Sequence, residues 1–125
     1  MLPKYPTAII HAGGKRGIAK LSYGDNVNWV IDSFGNQLAE NLFDDKVTKT
    51  TRGFPPELRR AARRKLLYLH EAAALRDLEV PPGNRLEALR GNLKGVHSIR
   101  INDQWRIVFR WKDGTASDVR IVDYH

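Results

Sequence analysis

At 125 residues, with a net charge of +7 and no cysteine, the chain has the size of one domain and excludes a disulfide framework or a thiolate metal site. No run approaches the ~18 consecutive apolar residues of a membrane span, and the N-terminus lacks the apolar core and cleavage site of a secretory signal. The chain therefore reads as soluble and cytoplasmic, with no membrane partner. Its basic balance points to a polyanionic partner, nucleic acid or an acidic protein. The four histidines have no paired spacing, so neither a metal nor a cofactor is expected.

Residues 1–29 form a first segment, with four glycines, two prolines and no sustained apolar period. They read as a poorly ordered extension. The stretch "GGKRG" lacks the flanking strand and the Gly-Lys-Ser/Thr ending of a phosphate-binding loop. From Val30 onward the patterning is regular. "VIDSF" predicts a short strand. "NQLAENLFDD" predicts a short helix with Leu38, Leu42 and Phe43 on one side.

"RGFPPELRRAARRKLLYLHEAA" predicts the strongest helix, with Pro56 in its first turn and Glu57 where the helix dipole favours an anion. Leu58, Ala62, Leu66, Leu69 and Ala73 form its apolar stripe. Arg59, Arg60, Arg63 and Arg64 fall mostly outside that stripe, which makes Arg63 and Arg64 candidate RNA contacts. "EVPPGNR" breaks the chain. Four strand candidates follow: "RLEAL", "VHSIRI", "QWRIVFRWK" and, after an Asp-Gly turn, "ASDVRIV". By period-two alternation Trp105, Ile107, Phe109 and Trp111 share one face, and Arg106, Val108 and Arg110 the other. Ile99, Ile101, Val119 and Ile121 point inward, Ser98, Arg100 and Arg120 outward. His97 falls on the core side with Ile99, where packing rather than catalysis is expected. His11 and His70 receive no role. The predicted fold class is α+β, with two N-terminal helices on one face of a small, mainly antiparallel sheet and an arginine-studded opposite face.

The segment "LRDLEVPPGNRLEALRGNLKGVHSIRINDQWRIVFRW", together with the terminal "VDYH", resembles the HigB branch of the RelE/ParE toxin superfamily, from about Val30 to His125. The resemblance implies a RelE/ParE-like fold over residues 30–125, with residues 1–29 outside the family's usual start and not native to the domain. It implies a toxin of a type II toxin–antitoxin system: a ribosome-dependent mRNA endonuclease that enters the ribosomal A site and cuts translated mRNA. It also implies a co-encoded HigA-type helix-turn-helix antitoxin as partner, through which alone specific DNA contact would be made.

Metal-free RNA cleavage uses the RNA's own 2′-hydroxyl as nucleophile. The protein must deprotonate it, stabilise charge at phosphorus and protonate the leaving 5′-oxygen. Among the terminal residues His125 is the first acid/base candidate, since imidazole titrates near neutrality. Asp123 would orient that ring or act as base, and Tyr124 would stack on a base or donate to phosphate. Arg106, Arg100 and Arg90 are the cations expected to grip phosphate, with Arg110 a further RNA contact. Glu87 stands where the family's well-studied type carries histidine. It is left with two roles, a general base or a partner for a neighbouring arginine, the second being the simpler. Two other function classes stay open: a ParE-like gyrase inhibitor, and a non-enzymatic basic RNA- or ribosome-binding module.

Overall fold

The computed structural model describes residues 31–124. The expectations for residues 1–29, Val30, His11 and His125 lie outside the described residues. In chain order the regular elements are α1 (Gln37–Phe43), α2 (Lys49–Arg52), α3 (Arg59–Glu71), β1 (Glu87–Ala88), β2 (Val96–Arg100), β3 (Trp105–Lys112) and β4 (Thr115–Asp123). The strands form one sheet in the order β1-β2-β3-β4, each pair antiparallel.

The first predicted strand is present only as two parallel bridges, Ile31 to Ala116 and Phe34 to Val119. The Asp32 and Gly35 amides donate to the Ala116 and Val119 carbonyls, so this segment covers the outer edge of β4. Asn36 then starts α1: its side-chain oxygen accepts from the Ala39 amide at 3.1 Å, and its Nδ2 donates to the Ile121 carbonyl at 2.9 Å. One residue thus caps the helix and ties its first turn to the sheet. Leu42, Phe43 and Ala39 are buried, so Ala39 joins the side predicted for α1.

The one-turn α2 was not predicted. Its N-terminal end is closed by reciprocal bonds between Thr48 and Thr51, a capping box built without an acidic side chain. The long predicted helix is divided: Pro56–Leu58 form a 3-10 turn, and α3 proper starts at Arg59. Ala62, Leu66 and Leu69 are completely buried, as their spacing requires. The stripe ends one residue early. Ala72 is buried and Ala73 exposed, because the chain leaves the helix at Ala72 with extended torsions (φ −65°, ψ 130°).

This helical layer closes on Ile99, Ile107, Phe109, Val119 and Ile121 of the sheet to make one core. Phe54 meets Trp105 edge to face at 4.9 Å. His97 stacks on Phe109 at 6.0 Å, on the core side of β2. His70 packs against the edge of Phe43 at 5.2 Å. The β3–β4 turn is Asp113–Gly114, both with positive φ (53° and 76°), the backbone that a tight hairpin needs and Asp-Gly tolerates. On β4 one residue is extra: Val108 pairs with Arg120 but Arg110 with Ser117, and Asp118 takes φ 53°. This bulge turns Ala116 inward beside Val119 and Ile121, where strict alternation would have put it outside.

Candidate functional site: an arginine held under a tyrosine

On the sheet face away from the helices, register places Ser98 and Arg100 of β2 beside Val108 and Arg106 of β3, with Arg120 and Val122 of β4 next in line. Alternation expected Ser98 and Arg106 to face solvent. Neither does: Ser98 is fully buried and Arg106 is 8% exposed. The reason is the chain after the 3-10 turn Pro82–Asn84, which runs back along β2 as β1 and folds over Arg106.

The Arg106 guanidinium is fixed from several sides. Its Nε donates to Ser98 Oγ at 3.1 Å and its Nη2 to the Arg85 carbonyl at 2.9 Å. Nη2 also pairs with Glu87 Oε1 at 3.1 Å. The Tyr124 ring lies against it, 5.2 Å from guanidinium carbon to ring centroid, a cation–π geometry. Glu87 is half exposed, so that ion pair adds little by itself. Two neutral acceptors and a ring hold a buried cation in place.

Arg85 is itself unusual. It adopts φ 46°, ψ 59°, left-handed backbone that side-chain-bearing residues seldom take. The position is held by its neighbour Asn84, completely buried, whose Nδ2 donates to the Leu78 and Val80 carbonyls at 3.0 and 3.2 Å. Asn84 Oδ1 accepts from Lys65 of α3. A polar chain therefore runs from α3 through Lys65, Asn84 and the Arg85 carbonyl to Arg106. Burial, then the charges of Arg64 and of Arg100, lower the Lys65 pKa below its usual 10.5.

Glu87, Ala88, Leu89, Arg90 and Tyr124 line a shallow cleft of about 570 Å³, and two of them, Glu87 and Tyr124, touch this arginine. The structure thus brings together Glu87, Arg90, Arg106 and Tyr124. Arg100 lies opposite Arg106 across the ladder, a like-charge neighbour that costs stability; its guanidinium is bonded to Asp103. Arg110 is exposed on the same face, four residues along β3, or roughly 13 Å from Arg106. Arg120 is pinned to Asp118 at 2.9 Å, and the pair lies so close to Gly35 that a β-carbon there would overlap both.

Two placements differ from the expected grouping. Asp123 pairs in register with Trp105, on the helix side of the sheet, and accepts from Gln104 Nε2 at 3.0 Å. Asp123 and Tyr124 therefore leave β4 on opposite faces. Arg63 and Arg64 sit on the helical layer, away from the cleft, and Arg63 Nε is bonded to the Phe43 carbonyl at 3.1 Å. Sequence reasoning missed Ser98, Asn84, Arg85 and Gln104. Gln104 anchors the tail twice, through its side chain and through its carbonyl, which accepts from the Tyr124 amide at 2.6 Å. Of these four, Ser98 alone carried a signal, a hydroxyl on the same predicted face as Arg106.

A small α+β layer pair with a buried arginine under the penultimate tyrosine defines the class, and comparison with known proteins gives the family. Residues 32–125 match the family described as "RelE-like toxin of type II toxin-antitoxin system HigB", and the chain belongs to that family. It is 46% identical to Toxin HigB-1 of Vibrio cholerae serotype O1 over 83 residues, 66% of this chain and 85% of that one. It is 29% identical over 65 residues to an uncharacterized protein of Haemophilus influenzae, covering 52% and 64% of the two chains. A type II toxin has an antitoxin partner. Among the described residues no helix is long and apolar enough to cross a membrane.

Proposed function

We propose that this HigB-type toxin is a ribosome-dependent endoribonuclease that cuts translated mRNA by attack of the RNA 2′-hydroxyl on the adjacent phosphate. The reading is carried by the fixed, buried Arg106, which is held against Glu87 and Tyr124, two of the residues that line the cleft. Burying a guanidinium is costly. Its partners engage Nε and Nη2, and in this reading Nη1 is the nitrogen that takes the phosphate. A cation already held in place stabilises charge at the transition state without reorganising.

In the proposed reaction the 2′-oxygen bonds to phosphorus as a base takes its proton. The bond from phosphorus to the 5′-oxygen then breaks, and that oxygen takes a proton from an acid. The products are a 2′,3′-cyclic phosphate and a 5′-hydroxyl. Arg106 and Arg90 hold the phosphate, and Tyr124 offers one face to a splayed base. His125, adjoining Tyr124 in sequence, is the proposed acid. Glu87, which lines the same cleft, is the proposed base. Arg100 and Arg110 follow the RNA backbone along the sheet face. Asp123 acts at one remove, positioning the tail through Gln104. The A site of the ribosome supplies the mRNA, and a HigA-type antitoxin blocks entry and makes any specific DNA contact.

The experiment is brief induction of the full chain beside a His125-deleted version, with transcript 5′ ends mapped. New ends inside translated codons, present only with His125, are expected. Growth arrest with blocked DNA supercoiling and no new RNA ends would replace this reading with gyrase inhibition.

A further inference from the structure

The two anchors of Arg106 have different origins. Ser98 Oγ, which takes Nε, belongs to the neighbouring strand β2. Both acceptors of Nη2, the Arg85 carbonyl and Glu87 Oε1, belong to the chain that follows the 3-10 turn Pro82–Asn84. Held by Ser98 alone, the guanidinium can pivot about Nε, and the second anchor fixes its plane. That anchor depends on the left-handed backbone of Arg85. The Arg85 side chain is exposed and residues with side chains seldom take this conformation, so its neighbours impose it. Asn84 spends its whole side chain on this: Nδ2 donates to the Leu78 and Val80 carbonyls, and Oδ1 accepts from Lys65 Nζ. The Asn84 amide closes the same turn on the Pro81 carbonyl at 2.9 Å. Lys65 in turn gives its ammonium to a neutral amide. Among the described residues it has no ion-pair partner, and the Tyr68 ring lies 5.9 Å from Nζ. A half-buried cation on neutral partners is a poor source of stability.

We propose that Asn84 and Lys65 are positioning residues for RNA cleavage, setting the plane of the Arg106 guanidinium through the Arg85 carbonyl. The effect on rate rests on the nuclease reading, whereas the effect on Arg106 follows from the hydrogen bonds alone. Neither residue lines the cleft, so both act through another group. A fork stabilises charge at phosphorus without reorganisation only when it is aimed before the reaction, and a displacement of about 1 Å can cost about 100-fold in rate. The same bonds tie the helical layer to the site. A change on α3 that moves Lys65 is passed through Asn84 to the Arg85 carbonyl, and from there to the nitrogen of Arg106 that it holds.

The test compares Asn84→Ala and Lys65→Met in the full chain with the parent and with Leu66→Ala, which destabilises α3 without touching these bonds. Lys65→Met keeps most of the stem and loses only the donor, so it carries the test alone if Asn84→Ala does not fold. One readout is the Arg106 Nε–H resonance, assigned by its absence in Arg106→Lys. The other is the cleavage rate constant on programmed ribosomes saturated with toxin, beside the toxin concentration that half-saturates them. The expected result is a broadened, faster-exchanging Arg106 signal and a rate constant lowered about 10- to 100-fold for Asn84→Ala, with a smaller loss for Lys65→Met. Half-saturation should not move, as for an interaction used only in the transition state, and Leu66→Ala should keep both the signal and the rate of its folded fraction. A parental rate in both variants would overturn the proposal, whatever the Arg106 signal does. An unchanged signal with weaker half-saturation would also overturn it, and would assign the two residues to ribosome contact. Equal loss of signal and rate in Leu66→Ala would reduce them to general structural support. A parent that cuts no RNA would overturn the nuclease reading, and the proposal with it. A parent that cuts beside variants that cut equally well would overturn the proposal alone.

Discussion

Replacing Arg106 by lysine keeps the charge and removes the fork, and the structure sets the size of the effect. Arg106 donates from two nitrogens to Ser98 Oγ and the Arg85 carbonyl. Each such bond from a charged donor contributes about 1.5–3 kcal/mol. An ammonium at the end of a thinner stem reaches one of these acceptors but not both. The acceptor given up is then unpaired, at a cost of about 1–3 kcal/mol, and if it is Ser98 it is fully buried. The half-exposed Glu87 pair adds only about 0.2–1 kcal/mol. Against these losses stands relief from burying the wide guanidinium, so the expected net destabilisation is about 2–3 kcal/mol. RNA cleavage should fall further than stability does, by about 100- to 1,000-fold, the usual effect of losing one preorganised charge-stabilising donor. Urea unfolding gives the first quantity, and cleavage on programmed ribosomes, at a temperature where the variant is folded, gives the second. A lysine variant that cuts at the parent's rate would refute the role given to the fork. One that loses stability but not cleavage would make Arg106 purely structural.

The other expectations concern the supports of this site. Leu66→Ala, which empties a completely buried position under the sheet, should cost about 2–5 kcal/mol and move the urea midpoint without changing the slope. Gln104→Ala removes an exposed bond to Asp123 and leaves the backbone bond to Tyr124 in place. It should cost less than about 1 kcal/mol in stability while slowing cleavage, because the tail loses one of its two anchors. Lys65 gives a pH signature. Its folded pKa lies below 10.5 through burial, then Arg64 and Arg100, so the unfolded chain holds that proton more tightly. Stability contributed by this group should therefore rise as pH climbs from the lowered folded pKa to 10.5, and be least below that window. Urea midpoints across the alkaline range, compared with Lys65→Met, should show the parent gaining relative to the variant as pH rises.

The sheet was legible because β2, β3 and β4 alternate, and Asp113–Gly114 marks their last hairpin. The bulge at Asp118 was not, since one inserted residue leaves no mark in a period-two pattern until the pairing is known. The helix stripe was readable from Leu58 to Leu69, but the end of α3 depends on where Ala72 turns away. At the site, alternation identified the correct face for Arg106 and Arg100 yet could not show that β1 folds back to bury Arg106 with Ser98. That depends on Asn84 holding Arg85 in left-handed backbone, a long-range consequence of Lys65 on α3. The terminal Asp123 and Tyr124 were read together, although an extended chain must send neighbouring side chains to opposite faces. Their separation was available in the sequence through the pairing of β4 with β3.

The most direct test of the central claim is a single-atom change in the RNA. Ribosomes are programmed with an mRNA that the toxin cuts at a mapped position, and with the same mRNA lacking only the 2′-hydroxyl immediately 5′ of that cut. Rapid cleavage of the first, ending in a 2′,3′-cyclic phosphate, and none of the second at that position is the result predicted. Equal cleavage of both would contradict attack by the 2′-oxygen. Stalled translation with neither RNA cut would contradict the nuclease assignment itself.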